Sequence, residues 1–188
     1  SYVRNTAATS KVDNTTVNIS GGTIGAKVPQ GWAQYVVGGG KAMSDNTATQ
    51  SDVTNTATVN ISGGNITRGA VVGGGFARAQ GAGGSATANV KDSVVNLTGG
   101  SLVGVVGGGL AENLNTETAM AKVTNASLTI GGNATVNGII YKGNDGKETP
   151  ASAAVIGGGL AYRQNGSVAT ASVDTANTTI KGGTINGD

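Results

Sequence analysis

Cysteine and histidine are absent from the 188 residues, and proline occurs only twice. Without His or Cys there can be no Ser-His-Asp triad, no cysteine nucleophile and no Cys/His zinc site. Aromatic residues number six: Trp32, Phe76, Tyr2, Tyr35, Tyr141 and Tyr162. Charge is sparse and balanced, with 12 basic against 10 acidic residues and a net charge of +2. No basic patch with interleaved aromatics occurs, so nucleic acid is not an expected partner. No apolar run approaches the ~18 residues of a transmembrane helix, so no direct membrane insertion is expected of this segment. The lack of cysteine agrees with a bacterial surface protein that crosses a periplasm without cross-linking.

What the chain has in abundance is glycine, 34 of 188 residues, against a usual ~7%. Collagen is excluded, because these glycines do not recur at every third position and proline is scarce. With 37% hydrophobic and only 12% charged residues, the chain is too apolar and too weakly charged for simple disorder. Glycine and β-branched residues throughout disfavour a helix bundle.

The glycines belong to a repeat. The string V-[VI]-G-G-G occurs four times, at 36–40, 71–75, 105–109 and 155–159. A second string alternates with it: VNISGGTI (17–24), VNISGGNI (59–66), VNLTGGSL (95–102), the variant LTIGGNATV (128–136) and TTIKGGTI (178–185). From the last Gly of GGG to the next GG the steps are 40→63, 75→99, 109→131 and 159→182, almost constant. From the second Gly of GG to the next GGG they are 22→38, 64→73, 100→107 and 132→157, and vary widely. Insertions therefore enter at one corner, at 25–35 and 137–154.

Each repeat reads as three short strands: V-x-I at the GG motif, V-V-G-G-G-x-A, and an Ala/Thr run ending in Val. Asn and Asp between the third and first strands favour turns. A three-strand unit cannot bury its apolar face alone, whereas stacked units can. The expected fold is all-β: a parallel β-helix, or β-solenoid, of about four and a half coils spanning 1–188 as one segment. Counting back from the terminal Val of strand three, alternate positions are small (Ala88/Ala86, Ala121/Ala119) and should face inward. In strand two, Ala42, Ala77, Ala111 and Ala161 should face inward. Continuing that period through GGG puts two apolar ladders and a glycine row on an outer face. Its members are Val72, Gly74, Phe76, Val106, Gly108, Leu110, Ile156, Gly158 and Leu160. Such a face calls for a cover, either an inserted loop or another molecule, and it is the candidate self-association surface. On that parity, Gly74→Lys or Leu110→Asp would weaken self-association without unfolding the chain. A bend or bulge at the glycine run would instead flip the parity.

Catalytic motifs are not found. GGGK at 38–41 lacks the spacing and the following Ser or Thr of a P-loop. No GG copy supplies the aspartate of a calcium β-roll. Paired carboxylates would suit a polysaccharide-cleaving enzyme, but Asp13, Asp52, Asp92 and Asp174 sit at or next to the strand-three turn. Asp13 and Asp174 share a register four coils apart, roughly 19 Å, beyond the ~10 Å limit of a glycosidase pair. Ice binding would need two regular threonine columns, and the outward columns read Thr9, Gln50, Thr87, Met120, Thr170 and Lys11, Asp52, Asn89, Lys122, Ser172. The N-x-S/T asparagines Asn18, Asn60, Asn96 and Asn125 read as ladder residues within strands. No enzyme activity, metal or cofactor is expected.

The insertions hold the unusual residues: the only Trp, both prolines, Tyr35 and Tyr141. The second also reads as a hairpin about a Gly-Asn-Asp-Gly turn. Aromatic and polar side chains on loops are typical binding anchors, so Gln30, Trp32, Tyr35, Tyr141 and Lys142 are the candidate binding residues. The alternative is that Trp32 and Tyr141 fold down over the strand-two face and seal it.

Alternating VNISGG and VVGGG blocks with NTAT-like links resemble the Gly/Thr/Asn-rich passenger repeats of bacterial autotransporter surface proteins, along essentially the whole chain. The resemblance implies a right-handed parallel β-helix, an extracellular location on the bacterial outer surface, and adhesion, autoaggregation or biofilm roles. It implies homotypic association and a host or glycan ligand as partners. The family's signal peptide and membrane barrel do not occur in these 188 residues, and the expectation is a piece of a longer repeat protein or fibre. A carbohydrate-acting β-helix enzyme fragment and a passive structural stalk are the alternative readings.

Overall fold

The computed structural model describes residues 2–3, 6–25, 35–45, 47–80, 83–114, 118–138, 140–142, 148–150, 155–163 and 168–186. Every regular element among them is a β-strand. Val, Ile and Thr at alternate positions favour extended backbone with one buried face. In chain order the strands are β1 (Tyr2–Val3), β2 (Ala8–Val12), β3 (Thr15–Ile24), β4 (Val36–Val37), β5 (Lys41–Ser44) and β6 (Thr49–Val72). Then come β7 (Phe76–Ala79), β8 (Ala86–Val106), β9 (Leu110–Asn113), β10 (Ala119–Ile130) and β11 (Thr135–Val136). The last are β12 (Ile140–Lys142), β13 (Glu148–Pro150), β14 (Val155–Ile156), β15 (Leu160–Arg163), β16 (Ala169–Ile180) and β17 (Thr184–Ile185).

Two sheets hold the repeats. One is five-stranded, in the order β1-β5-β7-β9-β15, and its pairings are parallel. It collects the strand that follows each GGG. The other is ten-stranded and collects the remaining strands except β12 and β13, also in parallel register. Each repeat pairs with its counterparts in the neighbouring repeats, so equivalent residues form columns. Val12, Val53, Val90, Val123 and Val173 are one column, and Ile19, Ile61, Leu97, Ile130 and Ile180 another. The sequence reading separates strands three and one by a turn. In β6 and β8 they are continuous, and the extra residue is absorbed as a register shift between Val53 and Thr56. A bulge of this kind bends a strand without ending it.

The core is thin and aliphatic. Val59, Ile61, Val95, Leu97, Leu128 and Ile130 are buried in one cluster, each removal from water stabilising by about 1.5–3 kcal/mol. A second cluster packs the alanines of β7 and β9 against those of β8 and β10, with Ala77, Ala86, Ala88, Ala111, Ala119 and Ala121 all buried. The inward positions expected for strands two and three are therefore the observed ones. On the polar side, Asn96 Nδ2 donates to Asn60 Oδ1 and Asn60 Nδ2 to Asn18 Oδ1, both at 2.9 Å. These asparagines form a side-chain ladder along the sheet.

The two glycine motifs do different things. The second Gly of each GG, at 22, 64, 100, 132 and 183, has positive φ between 57° and 96°. Residues with a Cβ are strained in that region. The GGG motif instead carries the chain from the ten-stranded to the five-stranded sheet while keeping the ladder. Gly73 N–H donates to Val106 O and Gly74 N–H to Gly108 O, both at 2.8 Å. Ser51 Oγ donates to Gly40 O at 2.7 Å and Ser93 Oγ to Gly107 O at 2.5 Å, taking up further corner carbonyls. A Cβ on Gly74 would lie 2.5 Å from Val90 Cγ2, and equivalent contacts join Gly39 to Val53, Gly108 to Val123 and Gly158 to Val173.

The expected outward glycine row is thus corrected. Gly74, Gly108 and Gly158 turn toward the valine column of strand three, because the chain bends at GGG and the period of two does not run through it. The open apolar face is corrected as well. Val72, Phe76, Val106 and Leu110 are each 2% exposed or less, and Gly74 and Gly108 are buried. Ile156, Gly158 and Leu160 are half-buried. Leu110→Asp and Gly74→Lys are now expected to disrupt folding, since one would bury a charge and the other would drive a side chain into the core.

Gly74→Ala should lower unfolding stability by about 1–3 kcal/mol through overpacking against Val90. Gly21, with nothing within 4 Å of its added Cβ, should accept alanine within about 0.5 kcal/mol. Urea midpoints of the two variants check this, and equal effects would contradict it.

Candidate functional site

The outward positions of β5, β7, β9 and β15 form two adjacent columns. Lys41, Phe76, Leu110 and Leu160 make one, and Met43, Arg78, Glu112 and Tyr162 the other. Tyr35, at the end of the first insertion and next to β4, closes over them. Its ring stacks on Phe76 with centroids 4.8 Å apart and planes 30° from parallel, a contact worth about 0.5–1.5 kcal/mol beyond area burial. Phe76 is fully buried.

A polar clamp fixes this cover. Tyr35 Oη donates to Glu112 Oε1 at 2.6 Å. Arg78 Nε donates to Glu112 Oε2 at 2.6 Å, and the same pair forms a salt bridge through the second guanidinium nitrogen. Bonds to a carboxylate from such donors are charge-assisted and strong. The Arg78 guanidinium also lies 5.5 Å from the Phe76 centroid and 5.9 Å from that of Tyr35. Lys41 Nζ sits 5.5 Å from the Phe76 centroid. Desolvation, and then the Arg78 charge, hold the Lys41 ammonium below the usual lysine range, with Glu112 opposing. Since the folded state binds that proton less tightly, the contribution of Lys41 to stability rises with pH as it approaches the unfolded value of 10.5 from below. Glu112 is only 6% exposed. With both oxygens engaged, it is placed to hold the loop end rather than to act as a general base.

Of the candidate binding residues, Tyr35 is therefore a seal over the strand-two face. Gln30 and Trp32 lie outside the described residues. Tyr141 and Lys142 fall in β12 and pair with Thr149 and Glu148 of β13; their backbones are described and their side chains are not. The β12–β13 pair is antiparallel and forms a sheet of its own, as the hairpin reading expects. The sequence reading did not single out Arg78 and Glu112. They directly follow the inward Ala77 and Ala111 of successive strands two, and the 34-residue offset of the two GGG motifs sets them side by side.

A second feature is an open hollow of about 380 Å³ at the corner between strands three and one. It is lined by Asp52, Asn89, Lys122 and Ser172 in one column and by Thr54, Lys91, Thr124 and Asp174 near it. Gln50 Nε2 donates to Asp52 at 2.7 Å and Asn89 Nδ2 at 2.8 Å. Fixed carboxylate and amide groups of this kind can bond a hydroxyl-rich ligand. Asp52 and Asp174 stand three repeats apart, roughly 14 Å, too far for a glycosidase pair. Among the described residues, no group of three or more His, Cys, Asp or Glu could hold a metal ion.

Glu112→Ala should destabilise the fold by about 3 kcal/mol, because it strands the Arg78 charge beside two aromatic rings. Tyr35→Phe should cost about 1 kcal/mol, since it removes one hydrogen bond and keeps the stack. Thermal or urea unfolding of both variants checks the order, and a larger effect from Tyr35→Phe would refute the clamp. Compared with protein-family models, with curated proteins and with solved structures, the chain matches none.

Proposed function

We propose that the chain is a right-handed β-solenoid segment, with three strands per coil, of a bacterial autotransporter-type surface protein. It would act outside the cell as a non-enzymatic adhesin or self-associating filament segment. The observation that carries this reading is the arrangement of a regular stack with its interruptions at one corner. Successive repeats pair in parallel register, while the second insertion makes a separate antiparallel ribbon of β12 and β13. A rigid scaffold that displays irregular loops at one edge is suited to binding. Tyr35 anchors one loop end, which leaves Gln30, Trp32, Tyr141 and Lys142 as the proposed binding residues. The polar hollow at Asp52 and Asn89 supports a glycan as ligand. A carbohydrate-acting enzyme is the weaker reading, because Asp52 and Asp174 are too far apart to share one bond.

The test is adhesion and aggregation of cells that display this chain. Trp32→Ala and Tyr141→Ala, alone and combined, should reduce binding at least about tenfold, as expected for aromatic anchors, with surface levels unchanged. Full binding by the double variant would favour a passive stalk.

A further inference from the structure

Two outward columns at the corner between strands three and one do not repeat like above like. The buried valine column keeps one residue type through the stack, and the Asn18, Asn60 and Asn96 ladder keeps its amide. On either side of that valine the chemistry changes with every repeat. Before it, β6, β8 and β10 carry Asp52, Asn89 and Lys122; after it they carry Thr54, Lys91 and Thr124. A repeating scaffold needs only like residues in register, so this mixture is not explained by stacking. These six residues line the 380 Å³ hollow. Its centre lies on β8 and β10, and each of those strands is paired on both sides, so the centre does not depend on either end of the stack.

The two lysines stand diagonally across the hollow. Lys122 is opposite Asn89, and Lys91 is two residues further along β8, which puts their Cα atoms ~7–8 Å apart. Both are exposed. Among the described residues, neither side chain has a hydrogen-bond or ion-pair partner. The nearby acid Asp52 is committed to Gln50 and Asn89 through one oxygen each. Two ammonium groups facing one concavity repel each other, and an anion placed between them relieves this and gains charge-assisted bonds. A carboxylate stands diagonal to each lysine, Asp52 to Lys91 and Asp174 to Lys122. A ligand charged along its whole length would meet those acids and be repelled. A ligand with one acidic group flanked by hydroxyls would use them as acceptors. We propose that the hollow binds an acidic saccharide, its anionic group between Lys91 and Lys122 and its hydroxyls on Asp52, Asn89 and Asp174. This rests on the glycan-binding reading and names the class of glycan and the residues that select it.

The test is calorimetric titration of the 188-residue chain with polygalacturonate, dextran sulfate, uncharged dextran and polyglutamate. Both acidic polysaccharides should bind, with dextran about tenfold weaker or more, and the tighter of the two acidic ones tells whether carboxylate or sulfate is preferred. Lys91→Gln and Lys122→Gln should each weaken binding about three- to fivefold, as expected for exposed charges, with the β-sheet circular dichroism retained. Raising salt from about 0.05 to about 0.5 M should weaken it further. Absence of binding to either acidic polysaccharide overturns the proposal, as does full binding by the double lysine variant. Dextran bound as tightly as polygalacturonate also overturns it but leaves a neutral glycan standing. Polyglutamate bound as tightly overturns it in favour of an acidic peptide. Failure of the adhesin reading is seen separately, in cell binding by the Trp32 and Tyr141 variants, whose residues lie in the insertions and not in this hollow.

Discussion

The Gly-Gly-Gly corner is the constraint on which the rest of the structure depends. There the backbone leaves one sheet and enters the other while staying hydrogen-bonded to the corners of the neighbouring repeats. At Gly73 a Cβ would collide with the carbonyl of Gly107, and at Gly74 with the valine of strand three. Glycine is required because that space is already filled by main chain and by core. Once the corners are stacked, the register of everything between them is set. Columns of like residues follow, since each position meets its own counterpart above and below.

That register explains the economy of the core. Parallel columns of Val, Ile, Leu and Ala fill a narrow interior without large side chains, and the described aromatics Tyr35, Phe76 and Tyr162 stand outside these columns. Phe76 is the one that the described repeats bury completely, and it lies outside the alanine seam. Tyr35 covers it, and Arg78 and Glu112 hold Tyr35 in place. The clamp joins an irregular loop end to a regular sheet through a desolvated ion pair. Its loss therefore leaves a charge without its partner.

Polar columns do a parallel task on the outside. Asn18, Asn60 and Asn96 pass amide hydrogen bonds from repeat to repeat, and Asn125 donates to Asp92 at 2.7 Å. The aspartates near the strand-three corner serve as acceptors, Asp13 for Thr54 and Asp52 for Asn89. This distribution bonds their carboxylates along the stack instead of gathering them at one point.

Repeat spacing, the inward alanines and the ladder asparagines were legible in the sequence, because residues in register recur at intervals that can be counted. The hairpin in the second insertion was legible for a similar reason, its turn residues being local. The fate of the strand-two face was not. Period-two counting assumes straight strands, and the bend at GGG turned Gly74, Gly108 and Gly158 toward the core. Nor could the sequence say that Tyr35 would cover Phe76, or that Arg78 and Glu112 would meet it there. That cluster joins residues from three repeats, up to 77 positions apart, and only the stacking distance between parallel strands brings them within reach. Composition and periodicity determined an all-β stack with glycine corners. Tertiary structure decided which apolar ladder is sealed, because sealing depends on where an irregular loop end comes to rest.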